Sequence, residues 1–122
     1  MRNISFMLTT QQIRNRTKTV TRRIGWSFLK VGAELQAVEK SQGLGKGGRI
    51  KRLCVIRVTS VRPEPLGALV EDLVYGFKET ALEGFPVGSR YSDPFKFINF
   101  FCSSHRHCTP ATIVNRIEFE YL

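Results

Sequence analysis

The sequence predicts an α+β domain built on a small, mostly antiparallel β-barrel with short flanking helices. Three observations carry that expectation. About five strand-like segments are separated by short helical ones, and the last strand, Thr112 to Leu122, returns after a helical insertion. The helical segments do not alternate regularly with the strands, which disfavours a parallel doubly wound sheet. The 122 residues form one domain's worth of chain, taken as a single domain over 1–122.

The elements follow in order. Ile4 to Leu8 reads as a first strand. Thr9-Thr10 offers an N-cap for a short polar helix over Gln11 to Arg16, anchored by Ile13. The β-branched run Thr17 to Thr21 resists helix continuation and predicts an extended segment. Trp26, Phe28 and Leu29 form a small apolar cluster before a strand from Glu34 to Glu39. The glycine-rich loop Ser41 to Gly48 then leads into a long strand ending at Val61, a hairpin whose second arm is expected to stop at Pro63 and Pro65. Leu66 to Leu73 and Lys78 to Gly84 are spaced as short helices. Asp93-Pro94 is a helix start, with Asp as cap and Pro at the first position, opening a segment rich in phenylalanine that must be largely buried. In the final strand Ile117, Phe119 and Tyr121 alternate with Arg116, Glu118 and Glu120.

Composition bounds the function. A hydrophobic share of 42% and a charged share of 24% are globular values and exclude a disordered basic tail. No apolar run approaches the ~20 residues of a membrane span, and Arg2-Asn3 interrupts any signal-peptide core, so a cytoplasmic protein without a membrane partner is expected. Three cysteines, Cys54, Cys102 and Cys108, are too few for a disulfide framework, and no structural disulfide is expected. The net charge of +9 is distributed unevenly. Residues 1–62 hold 14 basic and 2 acidic side chains, a net of +12, whereas residues 63–122 hold 5 basic and 8 acidic ones, a net of −3. Such a basic half favours a polyanionic or nucleotide partner.

The densest basic run is Arg14-x-Arg16-x-Lys18-Thr19-Val20-Thr21-Arg22-Arg23, with five cations in ten positions and no acid among them. Neighbouring cations oppose one another's charge, and lysine, unlike arginine, responds by releasing its proton. Lys18 could then activate the Thr21 hydroxyl as a nucleophile. Composition alone favours the plainer role of phosphate contact for these side chains.

The same residues carry a family resemblance. Thr17-Lys18-Thr19-Val20-Thr21-Arg22-Arg23, followed by Trp26, by Leu29-Lys30-Val31-Gly32 and by Glu83-Gly84-Phe85, resembles the ASCH domain family, whose fold is similar to the PUA RNA-binding domain. The family pattern, Gly-x-Lys with an acidic or other residue and then an arginine beyond, maps to Arg16, Lys18, Thr21 and Arg23, with Arg16 in place of the glycine. Threonine three residues after the lysine resembles the bacterial branch of N4-acetylcytidine amidohydrolases. That resemblance implies Lys18 as base, Thr21 as nucleophile and Glu83 as the carboxylate that handles protons at the leaving amine. It further implies that Arg23 would hold the pocket or an anionic group; Arg16, Arg22 and Trp26, which could stack on a base, are the other candidate substrate-binding residues, and no cofactor is expected. Trp26 reads equally as a core residue.

Two other clusters stand out. Cys102-x2-His105 and His105-x2-Cys108, with His107 between the last two, contain zinc-compatible spacings, but four ligands from seven consecutive residues would demand a very tight loop, so no metal is assigned and a helix end capped by histidine is expected. Lys46, Arg49, Lys51 and Arg52 around the glycine-rich loop lack the Lys-Ser/Thr ending of a P-loop and read as a basic hairpin tip able to track a phosphate backbone. The resemblance thus implies a hydrolase acting on an acylated cytidine or related modified nucleoside, and the basic face keeps a non-catalytic or RNA-cleaving RNA-binding module as the alternative.

Overall fold

A computed structural model describes residues 1–40, 44–45 and 47–122. In chain order the elements are β1 (Arg2–Ser5), α1 (Thr10–Arg14), β2 (Val20–Arg23), β3 (Glu34–Val38), β4 (Arg52–Pro65), α2 (Ala68–Glu71), α3 (Leu73–Leu82), a 3-10 turn (Arg90–Ser92), α4 (Pro94–Ser103) and β5 (Ile113–Tyr121). The strands form one five-stranded sheet in the order β1-β3-β4-β5-β2, antiparallel except for the parallel β1–β3 pair. The α+β class is as expected. The barrel is a curled half-barrel: β1 and β2 are edge strands that do not pair with each other.

Of the boundaries that differ from the sequence expectation, among them α3 beginning at Leu73 rather than Lys78 and α1 ending at Arg14 rather than Arg16, three have a clear local reason. β4 runs on through Pro63 and Pro65, which lie opposite Asn115 and Ile113 of β5. Strand β3 and the Ala33 carbonyl accompany β4 only as far as Val58, so beyond that point one side of β4 is open. A proline nitrogen facing an open side removes no ladder hydrogen bond. The expected helix Leu66 to Leu73 breaks at Asp72, whose carboxylate accepts from the Val74 and Tyr75 amides and caps the longer helix α3 instead. Strand β1 ends at Ser5, before Phe6 to Leu8 turn towards α1. Helix α4 starts as expected, with Asp93 accepting from Phe95 N and Pro94 in the first turn.

Two apolar clusters organise the interior. Ile4, Phe6, Leu35, Ile56 and Phe119 pack on one side of the sheet with Ile13 of α1. Leu66, Leu69, Phe97, Ile98 and Phe101 form the second under the helices, with Val114 of β5. Phe95 is exposed, whereas Phe97, Ile98 and Phe101 on the same helix are buried. Trp26 is half-buried against the first cluster and stacks on Phe28, with ring centroids 5.5 Å apart. Among the described residues no helix is long and apolar enough to cross a membrane.

Candidate active site

The site occupies the seam where the sheet fails to close. Edge strands β1 and β2 approach each other here, and Arg23 spans the gap by donating from Nη2 to the Ser5 carbonyl at 2.6 Å. Its guanidinium also lies 5.0 Å from the centroid of the Phe6 ring. A cavity of about 250 Å³ opens against this seam, between the two apolar clusters. Its polar lining is Lys18, Thr21, Arg22, Arg23 and Glu83, and Phe85, Phe97, Phe100, Phe101 and His105 form an aromatic wall.

Strand geometry sorts the basic run. Thr21 and Arg23 are two apart on β2 and share a face, so Arg23 Nε can donate to Thr21 Oγ1 at 3.0 Å. Arg22 points the other way, into a carboxylate cluster. Lys18 precedes the strand in a segment pinned at both sides: the Thr19 amide donates to the Leu82 carbonyl at 2.9 Å, and the Tyr121 hydroxyl donates to the Lys18 carbonyl. These bonds bring the end of α3 beside Lys18. Glu83 caps that helix, and Gly84 follows at φ +105. A Cβ at Gly84 would lie 2.9 Å from Gln12 Cγ and 3.3 Å from Lys18 Cβ, so only glycine supplies both the backbone conformation and the close approach.

Lys18 Nζ donates to Glu83 Oε1 at 2.7 Å and to the Glu83 carbonyl at 2.8 Å, and both side chains are almost completely buried. Burial is the largest influence on Lys18 and lowers its pKa below the ordinary lysine value; Glu83 opposes that shift, and Arg23 and Arg22 add to it. Arg22 Nη1 holds the other Glu83 oxygen at 3.0 Å, while its Nε and Nη2 go to Glu64 and Glu79. Burial opposes the charge of Arg22, but Glu83 and Glu64 outweigh it and raise its pKa. Burial draws Arg23 down to about 10, which leaves it protonated at neutral pH. Among the described residues no carboxylate lies within ion-pair distance of Arg23.

The residues singled out by sequence therefore separate. Lys18, Thr21, Glu83 and Arg23 meet on one wall. Arg22 reaches the wall, but its donors are directed to carboxylates. Arg16 and Trp26 lie off it: Arg16 is exposed with its guanidinium 5.5 Å from the Tyr121 ring, and both residues adopt a left-handed backbone, at φ 60 and φ 66. Arg49, Lys51 and Arg52 are exposed around the β3–β4 connection and line no part of the cavity, and Lys46 falls outside the described residues. Among the described residues no group of three or more His, Cys, Asp or Glu side chains is placed to hold a metal ion. His105 instead caps α4, its Nδ1 2.8 Å from the Phe101 carbonyl, as a helix-end histidine should.

Sequence reasoning missed the aromatic wall and the carboxylates behind Arg22. The phenylalanines of α4 signalled burial, but not that Phe97 and Phe101 would leave a cavity against β2. Glu79 carried a signal: it sits four residues before Glu83, on the same face of a helix whose neighbours pack inward.

Among solved structures, the chain is similar to the crystal structure of an ASCH domain from Lactobacillus crispatus JV V101, with a TM-score of 0.63 and 17% identity over 98% of this chain and 78% of that one. It is also similar to a protein from Enterococcus faecalis V583 of the family DUF984, with a TM-score of 0.56 and 16% identity over 94% of this chain and 67% of that one. No family model matches the sequence, and no curated protein does. The curled five-stranded half-barrel with its short helices has the fold of that ASCH domain.

Proposed function

We propose that this chain is a hydrolase that removes the acyl group from an N4-acylated cytidine or a closely related modified nucleoside. One observation carries the reading: a buried lysine with a lowered pKa, a threonine hydroxyl and a carboxylate converge on one small cavity lined by aromatic rings. At about 250 Å³ the cavity lies below the ~300–1,000 Å³ of sites for drug-sized ligands, a size suited to a base and its substituent. The phenylalanine wall would hold a planar ring, and the polar wall would face its exocyclic amide.

In this mechanism neutral Lys18 takes the Thr21 hydroxyl proton as Thr21 Oγ1 attacks the acyl carbonyl carbon. The Arg23 Nε donor on Oγ1 eases withdrawal of the hydroxyl proton by holding the nascent alkoxide until it adds to the carbonyl carbon, whose oxygen then takes the charge. Collapse of the tetrahedral intermediate breaks the C–N bond, and the proton returns to the leaving amine from the Lys18–Glu83 pair. Water then attacks the acyl-threonine ester, giving up its proton to Lys18, and the carboxylic acid leaves with Thr21 restored. Arg22 is a positioning residue in this scheme, since it fixes the second oxygen of Glu83.

Incubation with N4-acetylcytidine, as nucleoside and within RNA, tests the proposal. Wild type is expected to release acetate, Lys18→Met to lose ~10²-fold or more, and Thr21→Ser to retain more activity than Thr21→Ala. Absence of acetate from either substrate would overturn the enzymatic reading. A second reading, an RNA-binding module, draws on the exposed Arg49, Lys51 and Arg52. Its mark would be RNA retention that falls steeply with salt and is unaffected by Thr21→Ala.

A further inference from the structure

Cys102 and Cys108 bring their sulfur atoms 2.9 Å apart, about 1 Å beyond a disulfide's ~2.0 Å. The approach is built by the chain between them. Ser104 caps helix α4, its amide donating to the Phe101 carbonyl, and the His105 amide donates to that of Cys102. His107 then takes a left-handed backbone at φ 58, which turns the chain back and sets Cys108 against Cys102. Both thiols are half-buried beside the second apolar cluster, and Cys54 belongs to the first.

We infer that Cys102 and Cys108 form a reversible intrachain disulfide, a modification site that closes the loop at the end of α4. The oxidant is a small-molecule disulfide of the glutathione class. One protein thiolate attacks a glutathione sulfur, the glutathione disulfide bond breaks, and one glutathione thiolate leaves. The second protein thiol loses its proton and attacks the mixed disulfide, expelling the second glutathione. Two cysteines are oxidised and one glutathione disulfide is reduced to two thiols. Burial, with the Cys108 sulfur beside it, pushes Cys102 up to about 11. The closed loop contains His105, whose ring stacks on Phe101 with centroids 4.2 Å apart and which lines the cavity with it. The bond therefore pins one corner of the aromatic wall, whatever ligand the cavity takes.

The test uses the whole chain equilibrated with glutathione disulfide, blocked with iodoacetamide and cut with trypsin. Cleavage after Lys96, Arg106 and Arg116 places the two cysteines on separate peptides, 97–106 and 107–116, which only the disulfide would join. The expected result is this linked pair, with Cys54 alkylated, slowed amide exchange over residues 101–109, and a melting temperature raised by ~5 °C. Cys108→Ser, close in size to the original, should fold and show neither the link nor the rise. Alkylation of both thiols under oxidising conditions would overturn the inference. So would stable glutathione adducts on both, or a link to Cys54 or to a second chain.

Discussion

Arg16 holds a backbone that L-residues adopt at an energetic penalty, at φ 60, in the position where the family pattern has glycine. The turn is needed because the Arg16 amide still bonds back to Ile13 while Thr17 and Lys18 must leave α1 towards the seam. Arg16→Gly is therefore expected to be more stable than Arg16→Ala by about 1 kcal/mol, since both lose the Tyr121 contact and only glycine relaxes the backbone. Denaturant melts of the two variants check this; equal stability would show that the turn carries no strain. Lys18 permits a pH prediction. Its folded pKa is lowered, so between that value and the ordinary lysine value the unfolded chain binds a proton that the folded chain lacks, and stability rises with pH across that interval. Under the proposed mechanism the deacylation rate should rise with pH as the amine is freed and level off before the ordinary lysine value of 10.5. A rate that shows no rise with pH anywhere below 10.5 would remove Lys18 as base.

Elements in this chain are set by their ends more than by their middles. Asp93 was legible as a cap because Pro94 follows it, and its carboxylate does accept from Phe95 N at 2.9 Å. Asp93→Ala should lower stability by about 1 kcal/mol, measured by thermal or denaturant unfolding, and a change within error would mean the cap is replaced by water. Asp72 performs the same task for α3 but was hidden inside an apolar pattern that runs from Leu66 to Leu73, so periodicity ran the first helix through to Leu73 and began the second at Lys78, where the carboxylate ends one and starts the other. Pro63 and Pro65 misled for the opposite reason. Proline forbids a central strand, and only the sheet order reveals that β4 loses a neighbour before reaching them. The site was legible in the same uneven way. Lys18, Thr21 and Glu83 stand out by motif, whereas the Arg23 to Ser5 bond and the phenylalanine wall join segments far apart in sequence, which no local pattern encodes.

Across the molecule, the +12 and −3 halves meet inside rather than on opposite faces. Arg22 pairs in register with Arg116, and Arg116 with Arg62, so three arginines stand side by side across β2, β5 and β4. Like charges directly opposite each other destabilise a sheet, and here carboxylates from the acidic half are interleaved with them. Glu79 bonds both Arg22 and Arg116, and Glu64 bonds both Arg22 and Arg62. Burial works to raise the pKa of each carboxylate. For Glu79 the bonds from Arg116 and Arg22 prevail, and for Glu64 those with Tyr75 and Arg22, so both lie below the ordinary glutamate value. Depressed carboxylates stabilise the fold above their unfolded pKa of ~4.3, and that stability is lost as pH falls through their folded values. The melting temperature should therefore drop steeply below about pH 4.5. Glu79→Ala, which leaves two facing arginines without their shared partner, should cost about 3–5 kcal/mol at neutral pH. Glu79→Gln keeps the shape but not the charge, so it should melt lower at pH 7 and lose less on acidification, because one of the titrating groups is gone. Parallel acid profiles for wild type and Glu79→Gln would mean that the arginine row is neutralised elsewhere, and that the acidic half of the chain does not hold the basic half in place.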